Sequence, residues 1–376
     1  MIYYVGTYRT NNISERKPLG SDAEDVKIAY VVSAIKKLKQ KVTTVSVLSS
    51  LKSGFNARKT CKIDDLETQI FLESLDSQGK VFSKFGVVQR LFSLFAFLLF
   101  HAGRQDTVLV YNTQLFSLPV RMAKKIKNFK LILEVEEVFY MDNTRQKDVS
   151  RKGLEKALIA AADEYIFASD LLAQRLSEGK KYAVVYGGYT TPPRTVQRRN
   201  DGNIHVVYAG GIDSLRRVDY AVKAFGLLPD DYRLHILGHG AESDIETLKK
   251  EIEQVNQAAG YEKTQYVGSL YGKDYDEYLE SCHIGLNMQT IGSSIEDVAY
   301  PSKISSYLGR GLTVVSGRLS SIEASPFVKG MQLYDKSSPE EIAKAILACN
   351  IRGYDEQVNL IHGAEKRFLA ELNQLV

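Results

Sequence analysis

Along the chain, short runs of continuous or alternating apolar residues are separated by longer stretches in which apolar residues recur every three or four positions. The first pattern predicts strands and the second predicts amphipathic helices. IYYVG at positions 2–6 reads as a strand, and positions 23–41 read as a helix with an apolar face of Val26, Ala29, Tyr30, Ile35 and Leu38. Strands follow at 42–48, 107–112, 130–137 and 164–169, with helices at 87–101, 120–128 and 154–162 between them. Strands alternating with helices predict a parallel, doubly wound α/β sheet.

The pattern breaks at YTTPPRTVQRRNDG, positions 189–202, which is rich in proline, arginine and turn formers and reads as a linker. The alternation then restarts with IHVVYAGG (204–211), VDYAVKAFGLL (218–228) and YRLHILGHG (232–240), and ends in a last helix near 354–376. The expected architecture is two Rossmann-type domains in tandem. The boundaries are 1–188 for the first domain, 189–202 for the linker and 203–352 for the second. The segment 353–376 is a C-terminal helix expected to pack back toward the first domain. The halves share architecture without a fixed-period sequence repeat.

Composition narrows the ligand class. Of 376 residues, 44% are hydrophobic and 25% charged, which fits a globular chain. A net charge of +4 suits an anionic ligand or a membrane surface and is too weak to argue for nucleic acid. Cys61, Cys282 and Cys349 lie far apart, which predicts no disulfide framework and no metal site. His235 and His239 are four apart, but a glycine loop rather than a helix separates them, so a metal pair is not expected there. Neither a G-x-G-x-x-G fingerprint nor a Walker A pattern is present, which argues against a dehydrogenase or a P-loop enzyme.

Met1 leads directly into a strand, so no secretory leader and a reducing, cytoplasmic setting are expected. The most apolar run, positions 91–100, is short of the ~20 residues that span a bilayer. It reads as a core helix. The alternative is a surface that docks on the inner face of a membrane beside Lys124, Lys125 and Lys127.

In open α/β sheets, ligands bind beyond the carboxyl ends of the strands. Gly210, Gly211, Gly238, Gly240 and Gly268 fall at such ends in the second half. Each is a plain turn glycine or a point of close ligand approach. Arg216 and Arg217 follow near a helix start, where they are either solvated or bind a diphosphate. In AYPSKISSYLGRGLTVVSG (299–317), Pro301 suits a first helical position, which leaves the amides of Ser302 and Lys303 free beside the lysine ammonium. That is an anion site or an ordinary helix start, and the second cationic cluster at Arg216 and Arg217 favours the anion site. In the first half, Glu136 and Glu137 end a strand, where a carboxylate can orient or deprotonate a hydroxyl. Gly20 and Ser21 precede the first helix at a candidate acceptor edge, with Asp22 a candidate N-cap.

Taken together, ADEYIFASDLLAQRL (162–176), VVYGGY (184–189), VVYAGGIDSLRRVDYAVKAF (206–225), LHILGHG (234–240), the segment 266–288 and YPSKISSYLGRGLTVVS (300–316) resemble the GT-B glycosyltransferases. The resemblance is to family 4-like enzymes of bacterial surface polysaccharide assembly, and it lies in the order and spacing of these segments. It implies two Rossmann-like domains facing across a cleft, and a retaining, metal-independent transfer from a nucleotide sugar with no cofactor. The donor would be UDP-linked. It would rest on Gly211, Gly238, Gly268, Tyr300, Pro301, Ser302 and Ser306, with Arg216, Arg217 and Lys303 on the diphosphate. The backbone near 266–269 would face the base.

The chain departs from the family at two glutamates, whose places fall to Val298 and Ser306, with Glu296 and Asp297 nearby. A His-Asp pair common in the first domain is replaced by Glu136 and Glu137. The implied acceptor is a saccharide, free or lipid-linked, with peripheral membrane contact as an accompanying expectation. Two rival functions stay open: a non-catalytic nucleotide-sugar-binding subunit and a nucleotide-sugar epimerase.

Overall fold

The computed structural model describes the chain except residues 10–15, 18–21, 51–52, 77–79, 112, 139–148, 214–215, 290 and 292–299. It divides into two compact units. Unit 1 comprises Met1–Ala168, Leu172–Gly188 and Arg367–Val376, and unit 2 comprises Ser169–Leu171 and Tyr189–Lys366.

Unit 1 is built on an eight-stranded sheet. Its strands run in the order Tyr182–Val184, Glu164–Phe167, Lys130–Val135, Thr107–Tyr111, Ile2–Gly6, Val42–Ser46, Glu67–Phe71 and Lys59–Lys62. All neighbours are parallel except the last pair. The sequence pattern passes over the two final strands, because KTCK and ETQIF are too polar to read as apolar runs. The helices of this unit are α1 (Asp22–Lys37), α2 (Lys80–His101), α3 (Ser117–Lys127), α4 (Val149–Ala161) and α5 (Asp170–Leu176), the last of which begins on residues grouped with unit 2.

Two helices differ from expectation. In α1 the buried face is Lys27, Ile28, Tyr30, Val31 and Ile35, while Val26 is exposed. The face is rotated because the Lys27 ammonium has partners inside the unit. Helix α2 is 22 residues long, so the apolar run at 91–100 is only its second half. Its segment Lys84–His101, with mean hydropathy 1.3, is long and apolar enough to cross a membrane by length and composition alone, because the helix extends the ten-residue apolar run toward its N-terminus.

Unit 2 carries a six-stranded parallel sheet in the order Thr264–Gly268, Tyr232–Leu237, Ile204–Ala209, Ile284–Asn287, Thr313–Gly317 and Met331–Tyr334. Its helices are α6 (Val218–Phe225), α7 (Glu242–Ala259), α8 (Gly272–Glu280), α9 (Lys303–Leu308), α10 (Ser320–Glu323), α11 (Pro339–Leu347) and the first part of α12 (Tyr354–Leu372). Val206, Tyr208, Ala221, Phe225, Leu234, Ile236, Leu286 and Ile342 are buried between the sheet and its helices. The end of α12 packs within unit 1, where Phe368 meets Tyr30 and Glu371 accepts from the Val184 amide.

Both sheets follow one winding rule. The first strand of each unit sits in the middle; in unit 1 the second to fourth lie to one side and the fifth onward to the other, and in unit 2 the second and third lie to one side and the fourth onward to the other. Strand order therefore reverses beside Ile2–Gly6 in unit 1 and beside Ile204–Ala209 in unit 2. Such a reversal opens a crevice at the carboxyl ends of the strands, which is where α/β folds bind ligands.

Candidate functional sites at the two strand-order reversals

In unit 2 the Ile204–Ala209 strand runs into Gly210 and Gly211, and α9 brings Lys303 beside them. A Cβ on Gly210 would lie 2.5 Å from the Lys303 Nζ, so glycine there makes room for the ammonium. The same Nζ sits 4.5 Å from the centre of the Tyr208 ring. Tyr307, one turn along α9, fixes the helix in place: its hydroxyl accepts from the Ala209 amide at 2.8 Å. Gly285 lies flat under the Tyr307 ring, 2.4 Å from where its Cβ would be.

Lys303 has no carboxylate partner among the described residues, although Arg216 is close by. Burial of its ammonium, and then the like charge of Arg216, lower its pKa to about 7, with Asp213 opposing. An ammonium that is hard to keep charged gains most from an incoming anion.

Arg216 folds back over Gly211, whose Cβ would be 3.2 Å from its Nη1. Asp213 holds it, accepting from both its backbone amide and its guanidinium. Arg217 turns away. It occupies a left-handed backbone conformation, φ 48°, just before α6. Its guanidinium donates to both carboxylate oxygens of Asp219 at 3.1 Å and stacks 3.5 Å from the centre of the Tyr220 ring. Of the two arginines, the geometry gathers only Arg216 with Lys303.

The Pro301–Lys303 stretch differs in detail from the expectation. Pro301 precedes the helix, Ser302 takes the N-cap position without a side-chain cap bond, and Lys303 is the first helical residue. Ser302 is exposed, and its carbonyl accepts from the Ser305 hydroxyl. A six-residue helix has little aligned dipole, so the lysine side chain carries the anion argument. Ser306 points elsewhere: its hydroxyl accepts from Arg310, which is itself paired with Asp276. Tyr300 packs against Phe327. Val298, Glu296 and Asp297 lie outside the described residues.

The glycine turns serve the strand ends first. Gly238 has φ +147° and its Cβ would sit 1.8 Å from the Gly210 carbonyl oxygen, so only glycine fits. The Gly238 amide donates to Gly268. The Tyr266 hydroxyl donates to the Gly238 carbonyl at 2.9 Å. His235 pairs with His205 and Arg199 inside the sheet, and His239 is exposed, so the two histidines do not form a pair. Among the described residues no group of three or more His, Cys, Asp or Glu is placed to hold a metal.

In unit 1 the corresponding strand ends gather carboxylates. Glu134 is fully buried and accepts from the Tyr4 hydroxyl. Burial first, then the neighbouring Glu136, raise its pKa to about 8, with Lys27 opposing. Lys27 Nζ pairs with Glu136 at 2.7 Å and donates to the Val185 carbonyl at 2.7 Å. Glu24 accepts from Thr7 and is pushed up by burial. Of the two predicted glutamates, Glu136 is therefore tied down by Lys27 and Glu137 is exposed. Gly20 and Ser21 lie outside the described residues.

Sequence reasoning did not single out Tyr208, Asp213, Tyr307, Lys27, Glu134 or Glu24. Tyrosines in apolar runs read as core, and a lysine on a helix reads as solvated. No pattern in the chain marks either as part of a site.

No family model and no curated protein matches this chain. Solved structures do. A sucrose-phosphate synthase from Thermosynechococcus elongatus superposes with TM-score 0.68 at 14% identity, covering 100% of this chain and 97% of that one. A trehalose-6-phosphate synthase, studied for glycosyl transfer with retention, gives TM-score 0.67 at 11% identity, covering 100% and 99%. HepE from Anabaena, in complex with UDP, gives TM-score 0.62 at 12% identity, covering 100% and 97%. The chain has the GT-B fold of these glycosyltransferases. Two of the three are disaccharide-phosphate synthases rather than the family 4-like surface-polysaccharide enzymes that the motifs resemble.

Proposed function

We propose that this protein is a glycosyltransferase that moves a sugar from a nucleotide donor, a UDP-sugar, to a saccharide hydroxyl. The reading rests on one observation above the rest: Lys303, beside Gly210 and Arg216 at the strand-order reversal of unit 2, forms no salt bridge with a carboxylate among the described residues. A diphosphate there supplies the missing counter-charge. As the bond from the anomeric carbon to the diphosphate oxygen breaks, negative charge grows on the leaving group. Lys303 and Arg216 stabilise that charge more than they stabilise the intact donor, which lowers the barrier. Diphosphate binding also draws a proton onto Lys303, because an anion restores the ammonium.

The acceptor is assigned to unit 1. Glu137, exposed and next in the chain to Glu136, takes the role of orienting a hydroxyl and accepting its proton in this proposal. Transfer with retention and without a metal is part of the proposal. It is supported by the cation pair, which does the work a divalent ion does elsewhere, and by the retention studied in one structural neighbour. The acceptor class we favour is a growing surface glycan, free or lipid-linked, as the motif resemblance implies.

A non-catalytic nucleotide-sugar-binding subunit is the second reading, favoured by Ser306, whose hydroxyl is held by Arg310 rather than left open for a ribose. Thermal shift with UDP and UDP-sugars, followed by product analysis with and without saccharide acceptors, separates the readings. A UDP shift with glycoside and UDP release supports the transferase. A shift without turnover leaves the binding subunit, and an epimer formed without acceptor indicates an epimerase. No shift with any nucleotide overturns the proposal.

A further inference from the structure

Large apolar side chains are exposed unevenly over this molecule. Of the seventeen exposed among the described residues, eight lie between Phe85 and Ile126. On α2 these are Phe85, Val88, Phe92 and Phe100, and the first three are spaced by three and four, which makes a stripe along one side of a helix. On α3 they are Leu118, Met122 and Ile126, again one stripe, with Leu115 just ahead of it. The two helices pack on each other, so the stripes lie on neighbouring helices of unit 1. Monomeric proteins seldom expose so many large apolar groups together without a use for them.

The charge of the same region is one-sided. From Lys80 to Lys130 the chain carries nine lysines and arginines and a single carboxylate, Asp106. The whole chain has a net charge of +4, so the remainder is net negative. Lys84 and Lys125 are exposed beside the apolar stripes, and so is Lys156 on α4, which packs against α3. Of the lysines the sequence suggested, Lys124 is committed to Asp163, and Lys125 remains at the surface.

We propose that the joint face of α2 and α3 docks unit 1 on an anionic lipid bilayer. Helix α2 lies along the surface and does not span: its other side, with Leu94, Phe97 and Leu98, is fully buried in the unit, and Arg90 pairs with Asp76 at 2.8 Å. Pulling that side into lipid would expose a buried ion pair and strip the core. A second copy of this chain is a poor occupant, because a twofold contact would set the same positive rim against itself. An anionic bilayer takes both features at once. Apolar side chains enter the acyl boundary while lysines meet the headgroups. The proposal does not depend on the function proposed above.

The test is flotation of the full chain with vesicles of phosphatidylglycerol in phosphatidylcholine, against phosphatidylcholine alone. Expected is binding to the anionic vesicles that weakens as salt rises from ~0.1 to ~0.5 M. Met122→Asp and Lys125→Glu are each expected to lower partitioning about tenfold. Both side chains are exposed, so the thermal midpoint and any UDP-induced shift are expected to stay as in the parent. Absence of binding to anionic vesicles overturns the proposal, as does binding indifferent to both substitutions. A dimer that Met122→Asp dissolves, with no vesicle binding, assigns the face to self-association instead. The UDP shift is read on the same samples, so failure here is distinguishable from failure of the proposed function.

Discussion

The two units wind their sheets by the same rule, yet they place opposite charge at the equivalent strand ends. In unit 2 the end of the first strand meets Lys303 and Arg216, with Asp213 the carboxylate that holds Arg216. In unit 1 the same region holds Glu134, Glu136 and Glu24, with Lys27 as their cation. The backbone architecture fixes where a ligand can sit, and a few side chains decide which ligand. A cationic end suits a diphosphate. An acidic end with one exposed carboxylate suits a hydroxyl that must lose a proton. That contrast is what the proposed function uses, and each half of it can be broken separately.

The largest effect is expected from Lys303→Met. It removes a charge that acts on the leaving group, so kcat/KM should fall by roughly 10²–10³, the scale of losing one preorganised stabilising group. The UDP-induced thermal shift should shrink as well. Wild-type turnover by this variant would break the unit 2 half of the comparison. Lys27→Met attacks the other half. The Lys27 side chain is 5% exposed and its partner Glu136 26%, so the carboxylate loses a buried counter-ion. Urea denaturation should show about 3 kcal/mol of lost stability, the low end for breaking a buried pair. The UDP shift should survive in folded protein. A loss under ~0.5 kcal/mol, the scale of a surface change, would mean the cluster is solvated and not a site.

How far the sequence reached follows the same division. Ile204–Ala209 and Lys130–Val135 were legible because buried parallel strands read as apolar runs. Glu67–Phe71 was not, since ETQIF buries Glu67 and Gln69, whose polarity hides the strand. Lys303 was legible through the Pro-Ser-Lys order. Its distance from Gly210 was not, because it depends on Tyr307 docking α9 to a strand almost a hundred residues earlier. Lys27 shows the deeper limit. Helical periodicity put Val26 inside, and the structure puts Lys27 there because Glu136 and the Val185 carbonyl lie beyond it. Tertiary partners of a buried charge leave no local signature.

A pH titration sharpens the unit 1 half. Glu134 has a folded pKa of about 8, raised by burial and by Glu136 above the ordinary 4.5. The native state therefore keeps a proton that the unfolded chain has released, and stability falls as pH rises across that window. Glu134→Gln should flatten the decline, which in the parent should exceed ~1 kcal/mol between about pH 5 and 8. Parallel pH profiles for parent and variant would show that Glu134 titrates normally, and the acidic cluster would then be an open, hydrated edge.

The smallest expected effect divides the two adjacent arginines, which sequence could not tell apart. Arg216 lies over Gly211 beside Lys303, held there by Asp213, whereas Arg217 is spent on Asp219 and the Tyr220 ring. Both side chains are more than a third exposed, so solvent screens each of them. Arg216→Ala should lower kcat/KM about tenfold through its partial share of the leaving-group charge. Arg217→Ala should stay within about twofold, since its side-chain contacts among the described residues are with Asp219 and Tyr220 at the start of α6. Equal losses from both would mean that Arg217 leaves Asp219 when donor binds, and the cation cluster would then have three members. The reverse order would move the diphosphate to the start of α6 and leave the Lys303 ammonium without an assigned ligand.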